Sequence, residues 1–154
     1  LGHSGQIRSK VLVTLRKKYQ EQSVMNLDKQ LEKIISDVPK AVAAGIVDME
    51  SAMLLAIKST GSHPSEVFDF LSAATHDLFE GENVITIEKI FKKTRGVTSN
   101  DHYFQEMLIM SDNLIHYMAR CKTQTMILGV VCSKDANIGL VLAKSRQFAR
   151  ELTL

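Results

Sequence analysis

The chain has no tryptophan, two prolines and two cysteines in 154 residues. Two cysteines cannot build the disulfide framework of a small secreted domain, and no CxxC pair offers a structural zinc or redox site. Charge of one sign is missing too. Lys and Arg total 19 against 17 Asp and Glu, a formal net charge of +2, too even to imply nucleic-acid binding. No apolar run approaches the ~20 residues that span a bilayer, and the longest, Met126 to Cys132, has strand length. The start shows no signal-peptide succession of basic, apolar and small residues. It begins at Leu1, which reads as a trimmed chain with Leu1 to Gly5 foreign and upstream sequence missing.

Catalytic patterns are lacking as well. His3, His63, His76, His102 and His116 show no HExxH spacing, so no metal site is expected. In a hairpin reading His116 faces Leu108 while His102 lies beyond the other end, so the two do not converge. There is no GxSxG, no Walker loop and no GxGxxG after a strand. Cys132 and His116 fall on neighbouring strands out of register, which reads as packing. The chain is therefore expected not to be an enzyme and to carry no cofactor.

What is present is periodicity. Ile7, Val11, Leu12, Leu15 and Tyr19 recur at helical spacing, with Arg8, Lys10, Arg16, Lys17 and Lys18 opposite. This basic helix either packs on the domain with its lysines solvated, the favoured reading, or docks on an acidic surface. A second helix is predicted from Leu27 to Val38, with Asn26 as N-cap and Pro39 as its end. Ala41–Val47 and Ala52–Ile57 read as a strand pair about Asp48-Met49-Glu50-Ser51, the small residues of the first inviting close packing from above. Pro64 suits the first turn of a helix whose apolar face is Val67, Phe68, Leu71, Ala74 and Leu78. Gly81 breaks it. A further helical piece places Val84, Ile87, Ile90 and Phe91 inward and Lys89, Lys92, Lys93 and Arg95 outward, a basic group that reads as a solvated helix end. Strands are predicted over Tyr103–Met110, Leu114–Arg120 and Thr125–Cys132, the first two joined by the Ser111-Asp112-Asn113 turn. A closing helix, capped by Asp135 or Asn137, turns Leu140, Ala143, Phe148 and Leu152 inward. Pairing about Lys122-Thr123-Gln124 sets Cys121 and Cys132 at opposite ends of one hairpin, too far apart for a disulfide. Free thiols suit a reducing cytosol. The order of elements predicts an α+β domain, a five-stranded antiparallel sheet with helices packed on it.

The apolar run Thr125–Cys132 followed by Ala136-Asn137-Ile138-Gly139-Leu140 resembles the close of a roadblock / dynein light-chain domain, a profilin-like superfold. Ala44-Gly45-Ile46-Val47-Asp48 is similar to that family's first strand and turn. The resemblance covers roughly Asn26 to Leu154. It implies an N-terminal extension over residues 1–25 and a roadblock-like domain over 26–154, with an insertion at about 76–100 that short members lack. Met49-Glu50 stands where the family has a glycine in the first turn. The resemblance further implies a cytosolic, non-catalytic adaptor or regulator of a small Ras-like GTPase, or a scaffold in a larger complex. It would act as a homodimer, or as a heterodimer with another roadblock-like chain, with no nucleic acid and no transmembrane segment. Edge-to-edge sheets and antiparallel central helices make the family's dimers. That places the interface here on Val67, Phe68, Leu71, Tyr103, Gln105, Met107 and Ile109. No arginine finger is assignable; Arg95, Arg120 and Arg146 are the arginines that come into question. A profilin/PAS-like sensory domain with a small ligand between sheet and helix is the alternative. It needs a cavity with convergent polar groups, and the sequence shows no polar cluster at core positions.

Overall fold

The structure, a computed structural model, describes residues 21, 23, 25–61 and 65–154, with the backbone alone at 65, 66 and 68. The basic helix expected over Ile7 to Tyr19 lies outside the described residues, as does Pro64.

Helix α1 covers residues 25–37. Its Leu27, Leu31, Ile34 and Val38 follow helical spacing and all are buried. Pro39 then stops the helix, because it has no N–H to give. Strands β1 (Ala41–Asp48) and β2 (Met53–Ser59) form the first hairpin. Asp48 organises the turn. Its Oδ2 accepts from Ser51 N at 2.9 Å and Ser51 Oγ at 2.6 Å, and Ala52 takes the left-handed φ of 56°.

Helices α2 (Ser65–Glu80) and α3 (Glu82–Arg95) follow, broken at Gly81 as the sequence predicts. A Cβ at Gly81 would lie 2.5 Å from the Asp77 carbonyl oxygen, so this position excludes side chains. Gly96, at φ 66°, closes α3, where its own N–H and that of Val97 bond Lys93 O and Lys92 O. The meander β3 (Glu106–Met110), β4 (Leu114–Arg120) and β5 (Met126–Ser133) leads to α4 (Ile138–Glu151). Asn137 caps α4, its Oδ1 accepting from Leu140 N at 3.0 Å.

The sheet order is β2-β1-β5-β4-β3, antiparallel throughout, with β5 inserted beside β1. The central strands are therefore covered on both faces. Ala44, Ile46, Ile115, Tyr117, Leu128 and Val130 point to α1 and α4 and form the larger core. Val47, Met49 and Ile127 point to α2 and meet Phe79 in a smaller one.

Three helix faces differ from expectation. Among the described side chains of α2, Ser72 and Phe79 are buried, while Val67, Leu71 and Leu78 are exposed. In α3 Glu88 is buried and Ile87, Ile90 and Phe91 are exposed. In α4 Val141, Ser145 and Ala149 face the sheet, and Leu140 and Ala143 do not. The physical reason is common to all three: each apolar stripe is wider than one contact face, and the sheet selects which edge of it turns inward. Strand β3 is also shorter than expected, leaving Tyr103 and Gln105 in the loop before it. In the register, Cys132 faces Ile115 and His116 faces Ile109, each one position from the pairing expected. Both cysteines are free and buried. Burial pushes each thiol up to about 11, for Cys121 against a small opposing effect of the Leu128 backbone.

Candidate partner-docking surface

The sheet has two edges, and each edge strand carries one charged residue, Lys58 on β2 and Glu106 on β3. On β2, Lys58 reaches Asp28 at 3.5 Å and Glu32 at 3.6 Å on α1, the kind of edge charge that discourages strand pairing. Strand β3 pairs with β4 alone and exposes Leu108, Ile109 and Met110. Its one acidic residue, Glu106, is turned back into the domain. Arg146 grips it twice, at 2.5 Å and 3.0 Å, and the Tyr117 hydroxyl donates to it at 2.9 Å. The Arg146 hydrogen bonds hold this carboxyl below the usual carboxylate range against partial burial, with Tyr117 adding to the effect. Burial and the same carboxylate push the Tyr117 phenol well up.

Met107 packs against the small core around Phe79, which sets the β3 edge beside the C-terminal half of α2. The outward stripe of α2 is apolar: Phe70 is 75% exposed and Leu71 50%, with Val67 and Leu78 next to them. Of the exposed β3 residues, Ile109 shares the α2 face of the sheet, so helix stripe and strand edge are two apolar features, the second with open backbone groups along its outer side.

Of the seven residues expected at an interface, Val67, Leu71 and Ile109 lie on these features. Met107 is half-buried. Gln105 is exposed but exchanges amide hydrogen bonds with Gln124 at 2.9 Å and 3.1 Å. Tyr103 stacks 5.0 Å from Phe91 with the Arg95 guanidinium 5.7 Å from its ring centre. The Phe68 side chain lies outside the described residues. Phe70 and Leu78 belong to the helix stripe and were missed, as were Leu108 and Met110, which pair with Tyr117 and Ile115 and are exposed on the opposite, α4-facing side of the edge strand. An outward Phe at helix position i+3 from Val67 was the available signal.

The arginines serve structure. Arg120 is fully buried beneath α2, with its guanidinium 2.8 Å from Glu80 Oε1. It also donates to the backbone oxygens of Phe79 (3.2 Å), Phe104 (2.9 Å) and Gln124 (3.1 Å). From Glu80 the polar contacts continue outward. His102 Nε2 lies 3.2 Å from Glu80, His102 Nδ1 lies 3.2 Å from Glu88, and Glu88 lies 3.7 Å from Lys92. Lys92 then ties down Ser99 O and Asp101 O, and Tyr103 N donates to Glu88 at 2.8 Å. This chain of polar contacts clamps α3 and the loop after it to the sheet. Lys92 of the expected solvated basic group is thus a structural tie, while Lys89 and Lys93 remain exposed.

No protein-family model matches the sequence, and no curated protein matches it. Solved structures do. The Roadblock/LC7 domain from Streptomyces avermitilis is similar with a TM-score of 0.59 at 10% identity, over 80% of this chain and 92% of that one. The chain has the roadblock/LC7 fold. Myxococcus xanthus MglB shares the same arrangement at TM-score 0.61 and 15% identity, covering 82% of this chain and 84% of that one. A structure described as MglB with tetrameric arrangement is similar at TM-score 0.59 and 19% identity, over 86% and 85% of the two chains. Within this roadblock fold no described helix is long and apolar enough to cross a membrane.

Proposed function

We propose that the chain is a roadblock-family adaptor. It pairs through β3 and α2 with a second roadblock chain, and the pair presents a two-fold platform to a small Ras-like GTPase or to a larger assembly in the cytosol. The observation that carries this is the exposed apolar β3 edge lying beside the exposed apolar stripe of α2. Pairing strand to strand would satisfy the open backbone groups and bury Leu108, Ile109 and Met110 in one step. That one of the similar structures is described as tetrameric supports an assembling role. The GTPase rests on the sequence resemblance at Ala136–Leu140. Action is by recognition: the platform binds one nucleotide state of the GTPase better and shifts its population, with no catalytic residue or cofactor supplied. The domain runs over 26–154, and the α3 segment within 76–100 is the insertion that sets it apart from short members.

Light scattering across a concentration series tests the pairing. The chain is expected to be dimeric at micromolar concentration, and Ile109→Lys is expected to leave it monomeric with its thermal midpoint little changed. A wild-type chain that stays monomeric at all concentrations, alone and mixed with co-purifying roadblock chains, refutes pairing through β3. The GTPase is tested by capture on the immobilised dimer, with mass spectrometry identifying the bound chain and GTP- and GDP-loaded forms compared. Equal retention of both forms, or no GTPase at all, refutes the regulatory reading.

A further inference from the structure

Beneath α2, on the sheet side of the helix, lies a cavity of about 280 Å³. Its floor is made by glycine. Gly45 of β1 and Gly129 of β5 are register partners, and Ala43 lies two residues along the same strand face. A Cβ at Gly45 would crowd the Ala56 carbonyl at 3.3 Å. One at Gly129 would meet only the Gly45 carbonyl oxygen, at 3.9 Å. The backbone at Gly129 thus has room for a side chain among the described residues.

Among the described residues the walls carry no ionised side chain. Their polar groups are few. Ser72 and Thr75 donate their hydroxyl protons to helix carbonyls, Asp69 O at 2.9 Å and Leu71 O at 2.8 Å, and keep acceptor lone pairs. His116 is the one heterocycle among the described lining residues. Its Nε2 lies 3.0 Å from Ser111 Oγ, and Nδ1 is the second hydrogen-bonding atom of the ring. Burial lowers the basicity of this imidazole, which favours its neutral form.

We propose that this cavity is a binding site for an uncharged, largely apolar small molecule of about bicyclic size carrying one hydroxyl or carbonyl group, which His116 recognises. Size, polarity and charge each follow from the walls. An engineered cavity of ~150 Å³ lined by aliphatic and aromatic groups stays dry and takes up benzene, and this one is nearly twice as large. A charged ligand would lose its hydration with no counter-charge to replace it. A helix of a second chain, about 10 Å across with its side chains, does not fit between α2 and its own sheet. Such a partner would seat on the outer stripe of α2 and close over the rim formed by Val67 and Leu71. The site therefore shares its rim residues Val67 and Leu71 with the pairing surface, while its floor and His116 lie on the inner, sheet side of α2.

The probes are 1-naphthol, naphthalene and 1-naphthoate, added at pH 7 to the full chain labelled with 13C at its methionine methyls. Met118 lines the cavity, whereas Met25 and Met53 are exposed elsewhere. Saturable shifts of the Met118 methyl with 1-naphthol are expected, with Met25 and Met53 unmoved. Naphthalene should bind at least threefold more weakly, and 1-naphthoate at least tenfold. His116→Leu should abolish the preference for the hydroxyl. Gly129→Val should weaken 1-naphthol at least tenfold by filling the floor; if it does not fold, Ala43→Leu serves the same purpose. The proposal is overturned if Met118 does not shift up to the solubility limit, if 1-naphthoate binds as well as 1-naphthol, or if a folded floor-filling variant binds unchanged. It is also overturned if light scattering shows that the probe binds only where the chain is monomeric, since the space is then seated by a second copy.

Discussion

Replacing Glu80 with glutamine keeps the shape of the last residue of α2 and removes the one carboxylate that Arg120 contacts among the described residues. The Arg120 side chain is 0% exposed and that of Glu80 17%, so water cannot take over the lost interaction. Losing one partner of a buried ion pair typically costs 3–5 kcal/mol, because the remaining charge stays desolvated. Two features place this site at the lower end. The glutamine oxygen still accepts from the guanidinium, and three backbone carbonyls with the Phe79 ring, 5.3 Å from the guanidinium carbon, still face it. About 3 kcal/mol is therefore expected for Glu80→Gln. In a chain of this size that lowers the thermal midpoint by roughly 6–12 °C. The assay is urea unfolding at pH 7 followed by far-UV dichroism, with calorimetry for the midpoint. Arg120→Met should also destabilise, since it strands Glu80 and three carbonyls. The double variant should then lose less than the sum of the two single losses. A Glu80→Gln loss below about 1 kcal/mol, or strict additivity in the double variant, refutes the view that this ion pair clamps α2 to the sheet.

Asn137→Ala removes the α4 cap and should cost about 1 kcal/mol, or roughly 2–4 °C in the thermal midpoint; an unchanged midpoint contradicts the cap. Glu106 has its folded value depressed by Arg146 and Tyr117, so its contribution is present above its unfolded value near 4.5 and is lost as pH falls through the folded value. Glu106→Gln should therefore lower the midpoint at pH 7 by a few degrees at most, about 4 °C, given the exposure of the pair, and leave it nearly unchanged at pH 2. An equal loss at both pH values would show that the carboxylate charge is not what matters. Both thiols, raised to about 11 and buried, should resist Ellman's reagent at pH 8 until the chain unfolds, with only about one in a thousand ionised. One rapidly labelled thiol in the folded chain contradicts the placement of Cys121 or Cys132.

How far the sequence reached is clearest in particular elements. Strand β4 runs from Leu114 to Arg120 as the alternation of residues predicts, Gly81 divides two helices, and Asn137 caps α4. Each of these is set by neighbours within a few residues, where steric limits and local hydrogen bonds act regardless of the rest of the chain. The candidate surface was half legible. Ile109, Val67 and Leu71 came from the strand and helix patterns, while Phe70, Leu108 and Met110 needed to be seen unpartnered on the fold.

The sequence alone determined that this is an α+β domain, where its turns and caps fall, and which segments are apolar enough to pack. Only the tertiary structure decided the rest. Whether Phe79 or Leu71 of α2 turns to the sheet depends on where β1 and β5 lie, not on the spacing of α2. Arg120 and Glu80 are 40 residues apart, and no local pattern links a buried cation to the carboxylate that neutralises it. Gly45 and Gly129 become one cavity floor only because β5 inserts beside β1. Local rules act through bonds and adjacent residues, whereas burial, charge pairing and empty space arise between distant segments and exist only once the chain has closed on itself.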